Sequence, residues 1–119
     1  MAIIGDMTKY LISFPSGVME FPEEDFAQVV ADSHQVIRDA KAAGVYVFGG
    51  GIDESIDPVR VSADGTVTAG PYERTGELRG GYTVLELPTM QAAHEWAAKL
   101  AAACRCAQEV RAFGYDPES

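Results

Sequence analysis

One histidine, two carboxylates and a guanidinium are the groups in this chain whose types suit proton transfer next to an anion. His34 is the side chain best placed to exchange a proton near neutral pH. Glu73 and Glu77 are carboxylates able to orient such an imidazole. Arg74 can hold a carboxylate or phosphate through two parallel hydrogen bonds, and Tyr72 adds a phenolic hydroxyl beside it. Together they would bind a small anionic or phenolic ligand and move a proton on it. Each also has a plainer use: His34 can bond a neighbouring backbone or loop group, and Arg74 and Arg79 can make salt links to Glu73, Glu77 or a second subunit.

Five of these residues lie in the stretch Ala69 to Tyr82, AGPYERTGELRGGY. Gly70 and Pro71 open it and Gly80 and Gly81 close it, so small or rigid residues bracket a charged loop and give it a fixed backbone path. Gly70, Pro71, Tyr72, Arg74 and Tyr82 are the candidate ligand-binding positions. Other motifs point nowhere. Gly49 to Gly51 lacks the GxGxxG spacing, the P-loop lysine and a following helix, so it reads as a close backbone approach or a bulge. Cys104 and Cys106 are too close in sequence for an ordinary bridge, and a metal site would need two further ligands. They read as packing at a helix end. No metal and no cofactor is called for.

The elements that must position these residues follow from periodicity. Tyr10 to Phe14 reads as a strand stopped by Pro15. Pro22 and the acids Glu23, Glu24 and Asp25 start a helix, whose apolar positions are Phe26, Val29, Val30, Ile37 and Ala40, with Gly44 as its stop. His34 falls at the border of that stripe, about 80 degrees from Phe26. Val45 to Phe48 is a second strand with no polar residue on either face, hence buried on both sides. Pro58 to Thr68 carries Asp64-Gly65 between valines, a hairpin projecting from the main sheet. Gly81 to Leu87 is a strand, Thr89 a cap, and Met90, Ala93, Ala97, Leu100 and Cys104 the stripe of a second helix. His94 and Trp96 sit at the edges of that stripe. Glu109 to Phe113 is the last strand.

This order predicts an α+β fold, ferredoxin-like βαββαβ with an inserted hairpin, with both helices on one face of an antiparallel sheet. If Tyr46 and Phe48, with Tyr10, Ile12 or Tyr82, point away from the helices, the other face is too apolar for a monomer and calls for a homodimer. The domain reads as 9–114, between an N-terminal extension, 1–8, and a C-terminal tail, 115–119.

Composition narrows the partners. The 119 residues are 47% hydrophobic and 23% charged, enough for one domain. The formal net charge of −9 repels nucleic acid and anionic lipid. No apolar run spans a bilayer and the start has no signal-peptide pattern, so the expected location is cytoplasmic.

The bracketed loop resembles the signature of the YCII-related, or DGPF, domain family, which reads close to DGPFAETKEQLGGY. The chain keeps the length, the Gly-Pro-aromatic core, Thr75, Glu77, both closing glycines and Tyr82; Ala69 stands where the family has Asp. The resemblance implies a dimeric α/β barrel. It also implies either a small-molecule enzyme of lyase or dehalogenase type using a first-helix histidine, here His34, or a non-catalytic dimeric ligand- or protein-binding module, transcription-associated in some genomes. In the first reading Glu73 or Glu77 replaces the missing acid. In the second the acidic surface favours a basic protein partner.

Overall fold

The computed structural model describes residues 7–75 and 78–119. Six strands and two long helices run in the order β1 (Thr8–Pro15), α1 (Phe26–Ala42), β2 (Tyr46–Gly51), β3 (Val59–Val61), β4 (Val67–Ala69), β5 (Gly80–Leu87), α2 (Met90–Cys104) and β6 (Glu109–Ala112), with short 3-10 turns at Glu23–Asp25 and Glu73–Thr75. The main sheet has the order β2-β5-β1-β6, and β3 and β4 form a separate two-stranded sheet. β5 and β6 both pair antiparallel to β1, and β2 pairs antiparallel to β5. β1 and β2 are therefore parallel with β5 between them, and β5 and β6 are parallel with β1 between them. Each half is a split βαβ unit, compatible with a ferredoxin-like fold.

Both helices cover the same face. Tyr10 and Ile12 of β1 lie opposite Leu85 and Thr83 of β5, and their side chains meet Ala40 of α1 and Ala93, Ala97 and Leu100 of α2 in a single core. Small residues on α2 let that helix approach the sheet closely. Thr89 caps α2 by accepting a hydrogen bond from the Ala92 N–H at 3.0 Å. Gly44, with φ +76, ends α1 as its type requires. At the other helix end Arg105 takes the left-handed conformation, φ 62, and its guanidinium returns to the Ala102 and Ala103 carbonyls and to Asp32 of α1. One side chain thus closes α2 and ties it to α1.

Three expectations about facing need correction. Phe26 is exposed, because the helical turn at Glu23–Asp25 sets it at the first position of α1, beyond the sheet, where its ring lies near Phe21 instead. β2 is an edge strand of this chain, so it is not buried on both sides: a register shift between Tyr46 and Phe48 turns Tyr46 into the core and leaves Phe48 64% exposed. Tyr10, Ile12 and Tyr46 face the helices, so they do not contribute to the opposite face. By strand alternation that face carries Leu11 and Ser13 from β1, Tyr82 and Val84 from β5, and Phe48 from β2. Two ion pairs frame it, Lys9 to Glu86 at 3.4 Å and Arg111 to Glu109 at 3.1 Å.

Candidate functional site

The bracketed loop leaves the hairpin at Gly70, whose φ of +86 only glycine adopts freely and whose N–H donates to the Pro58 carbonyl at 3.0 Å. Pro71 follows, then a 3-10 turn in which the Thr75 hydroxyl and N–H both donate to the Tyr72 carbonyl. The loop re-enters the sheet at Gly80 and Gly81, where backbone crowding requires glycine at Gly80 and a β-carbon on Gly81 would need the Phe14 ring to move. A β-carbon on Gly80 would stand 2.0 Å from the Phe14 carbonyl oxygen, and one on Gly81 would stand 2.7 Å from the Phe14 ring. The end of the loop is pinned further by Ser16 N–H to the Arg79 carbonyl and Ile52 N–H to the Gly80 carbonyl, each 2.9 Å, and by the Tyr82 hydroxyl donating to the Leu78 carbonyl. Gly49 fits the close approach expected of its run: a β-carbon there would lie 2.9 Å from the Tyr46 hydroxyl oxygen.

Beneath the loop is a cleft of about 370 Å³. Pro71, Thr75, Leu78 and Arg79 form one wall, and Ile52 to Glu54 with Ile56 to Pro58 form the other. Its carboxylates differ in availability. Asp53 accepts hydrogen bonds from the Ser55 hydroxyl and N–H, which hold its pKa below the ordinary carboxylate value, and Glu54 accepts from the Ser16 hydroxyl at 2.9 Å. Both are engaged in fixing the segment. Asp57 and Arg79 also line the cleft, and neither side chain has such a partner among the described residues. The apolar surface comes from Ile52, Ile56, Leu78 and the two prolines.

The candidate residues do not converge. Pro71 lines the cleft and Gly70 roots the loop. Tyr72 is 71% exposed, with the Arg60 guanidinium of the hairpin 5.8 Å from its ring centre, so it is engaged with β3 rather than with the cleft. Glu73 and Arg74 sit in the exposed 3-10 turn. Tyr82 lies on the uncovered sheet face and anchors the loop through its hydroxyl. His34 is exposed on α1 and is not among the cleft-lining residues. Glu77 lies outside the described residues. The far wall, Ile52 to Pro58, escaped the sequence reading, although its bracketing by Gly51 and Pro58 is the same signal that marked the loop opposite.

A second concavity, about 550 Å³, opens where the uncovered sheet face meets the C-terminal segment, between Lys9, Val84, Glu86, Phe113 and Tyr115. Lys9 and Glu86 are already paired to each other there, and Asp116, which also lines it, accepts a hydrogen bond from the Glu118 N–H at 2.8 Å. Neither thiol is a nucleophile candidate. Burial raises the pKa of Cys104, with Cys106 adding to the effect, and burial also raises that of Cys106. Among the described residues no group of three or more His, Cys, Asp or Glu is placed to hold a metal ion, and no helix is long and apolar enough to cross a membrane.

No family model matches the chain, and no curated protein matches it.

Proposed function

We propose that this protein is a YCII-related homodimer of the cytoplasm, built as a dimeric α/β barrel, that holds a small anionic or phenolic ligand in the cleft at Arg79 without transforming it. The observation that carries this reading is the separation of the groups. The cleft has Arg79 and an apolar lining for recognition, with Asp53 and Glu54 among its carboxylates already engaged by Ser55 and Ser16, whereas His34 and Glu73, two of the three acid–base candidates, lie outside it. An anionic group against Arg79 would be favoured by a charge-assisted pair, and its carbon skeleton by Ile52, Ile56 and Leu78. The uncovered sheet face supports the homodimer, since Phe48, Leu11 and Val84 lie there for a second copy to cover.

Titration of isotope-labelled protein with 4-hydroxybenzoate, followed by backbone amide shifts, tests it. Shifts concentrated in 52–58 and 71–79, abolished in Arg79→Ala and retained in His34→Ala, are the expected result. Shifts that depend on His34 and not on Arg79, or consumption of small carboxylates and haloacids that stops in His34→Ala, would overturn it in favour of proton-transfer chemistry.

A further inference from the structure

We infer that the β3–β4 hairpin is a dimerisation arm, whose face of Val59, Val61 and Val67 packs against a second copy of this chain when the two uncovered sheet faces meet. The arm presupposes the homodimer proposed above and adds to it a contact that two flat sheets alone do not provide.

Register fixes which side of the hairpin is free. Val59 pairs with Ala69 and Val61 with Val67, so all four side chains share one face, while Arg60 and Thr68 share the other. The Arg60 side is turned toward its own chain, with its guanidinium over the Tyr72 ring. The valine side is left uncovered, at 53%, 65% and 62% exposure for Val59, Val61 and Val67. A two-stranded sheet with no cover is marginal by itself. This one is nonetheless held in shape at both ends: Gly70 N–H to the Pro58 carbonyl closes the base, and Ser62 N–H to the Thr66 carbonyl at 2.8 Å, with Gly65 at φ +89, closes the tip. A preformed apolar face loses little conformational freedom on docking.

Three observations select a second copy as the occupant. The accessible surface is 8316 Å², about 2,100 Å² more than the roughly 6,200 Å² of a compact monomer of this mass. The exposed C-terminal segment accounts for part of that excess, and a standard interface needs only about 800 Å² from each partner. The molecule is 20 Å deep along its shortest axis, space for one sheet and one helix layer. The hairpin pairs with no strand of the main sheet, so it stands apart from that sheet and is free to meet a copy stacked on the open face. Finally, the charges around the open face are paired within the chain, Lys9 with Glu86 and Arg111 with Glu109, and the valine face carries none. Two chains of net charge −9 can meet there without opposing like charges, and a basic foreign partner would find no complementary patch.

Sedimentation equilibrium over a concentration series tests the arm with Val61→Lys and Phe48→Lys beside the unaltered chain, each checked for an unchanged circular dichroism spectrum. The expected result is a dimer in the unaltered chain, weakened at least about tenfold by either substitution. A dimer that weakens in Phe48→Lys but stays within about twofold in Val61→Lys would overturn the arm and leave the homodimer standing. An unaltered chain that remains monomeric would overturn both. Amide hydrogen exchange of the unaltered chain gives a readout free of any folding defect: protection across 58–70 should rise with concentration through the dimer midpoint, and exchange there that ignores concentration would overturn the arm.

Discussion

Gly80 stands so close to Phe14 that a single methyl group on it would lie 2.0 Å from the Phe14 carbonyl oxygen, at a φ of +138. Backbone crowding and backbone conformation both demand glycine there. Gly80→Ala should cost about 3 kcal/mol or more, whereas Gly70→Ala, at φ +86 with open space around it, should cost about 1 to 2 kcal/mol. Urea unfolding of the two variants checks the order.

Arg105 separates two opposing effects at one position. Its left-handed backbone is strained for any residue with a β-carbon, while its guanidinium bonds two α2 carbonyls and Asp32. The Asp32 pair is partly exposed, so solvent screening leaves it a small share of the effect. Arg105→Ala loses the bonds and keeps the strain; Arg105→Gly loses the bonds and relieves it. The alanine variant should be less stable than the glycine variant by about 1 kcal/mol, read from thermal or denaturant unfolding.

Tyr82 ties the loop to the sheet through the Leu78 carbonyl. Tyr82→Phe should leave the core intact, cost about 1 kcal/mol, and speed amide exchange selectively in the segment before Gly80. Uniform acceleration across the whole chain would instead mean that the hydroxyl supports global stability.

Acid should destabilise the protein through a few identifiable carboxylates. The Asp32 pKa is lowered from 3.8, first by the Gln28 side-chain hydrogen bond and then by Arg105, while Ser55 lowers Asp53 and Thr66 lowers Asp64. Because the folded values are depressed, this stabilisation is complete above the unfolded value and disappears as pH falls through the lower, folded one. Melting temperature should therefore begin to drop as pH falls below about 4 and go on dropping in more acid solution, and Asp32→Asn should flatten part of that slope.

Alternation made most of the architecture readable from the sequence. The α2 stripe from Ala93 to Cys104, the Thr89 cap, the Gly44 stop and the Asp64-Gly65 hairpin all depend on local periodicity or turn chemistry, which one sequence carries in full. The fate of β2 does not. A bulge between Tyr46 and Phe48 puts on opposite faces two aromatics that plain alternation would place on the same one, and residue types alone carry no sign of it. Phe26 misled for a related reason, since a helical wheel does not say where the sheet beneath it ends. At the site, the Gly-Pro and Gly-Gly brackets marked the two ends of the loop, where Gly70 and Gly80 take positive φ. The partners of that loop come from residues such as Ile52, Ile56 and Asp57, brought near only by pairing of β2 with β5.

The irregular β2 has a bearing on how copies can associate. One rim of the sheet is kinked between Tyr46 and Phe48 and ends in three glycines, and the other, β6, is four residues long with alternating Glu109 and Arg111. Neither rim is a good template for hydrogen-bonding another strand alongside it. Growth by adding strands laterally, the route to fibrils, is discouraged at both margins of the main sheet.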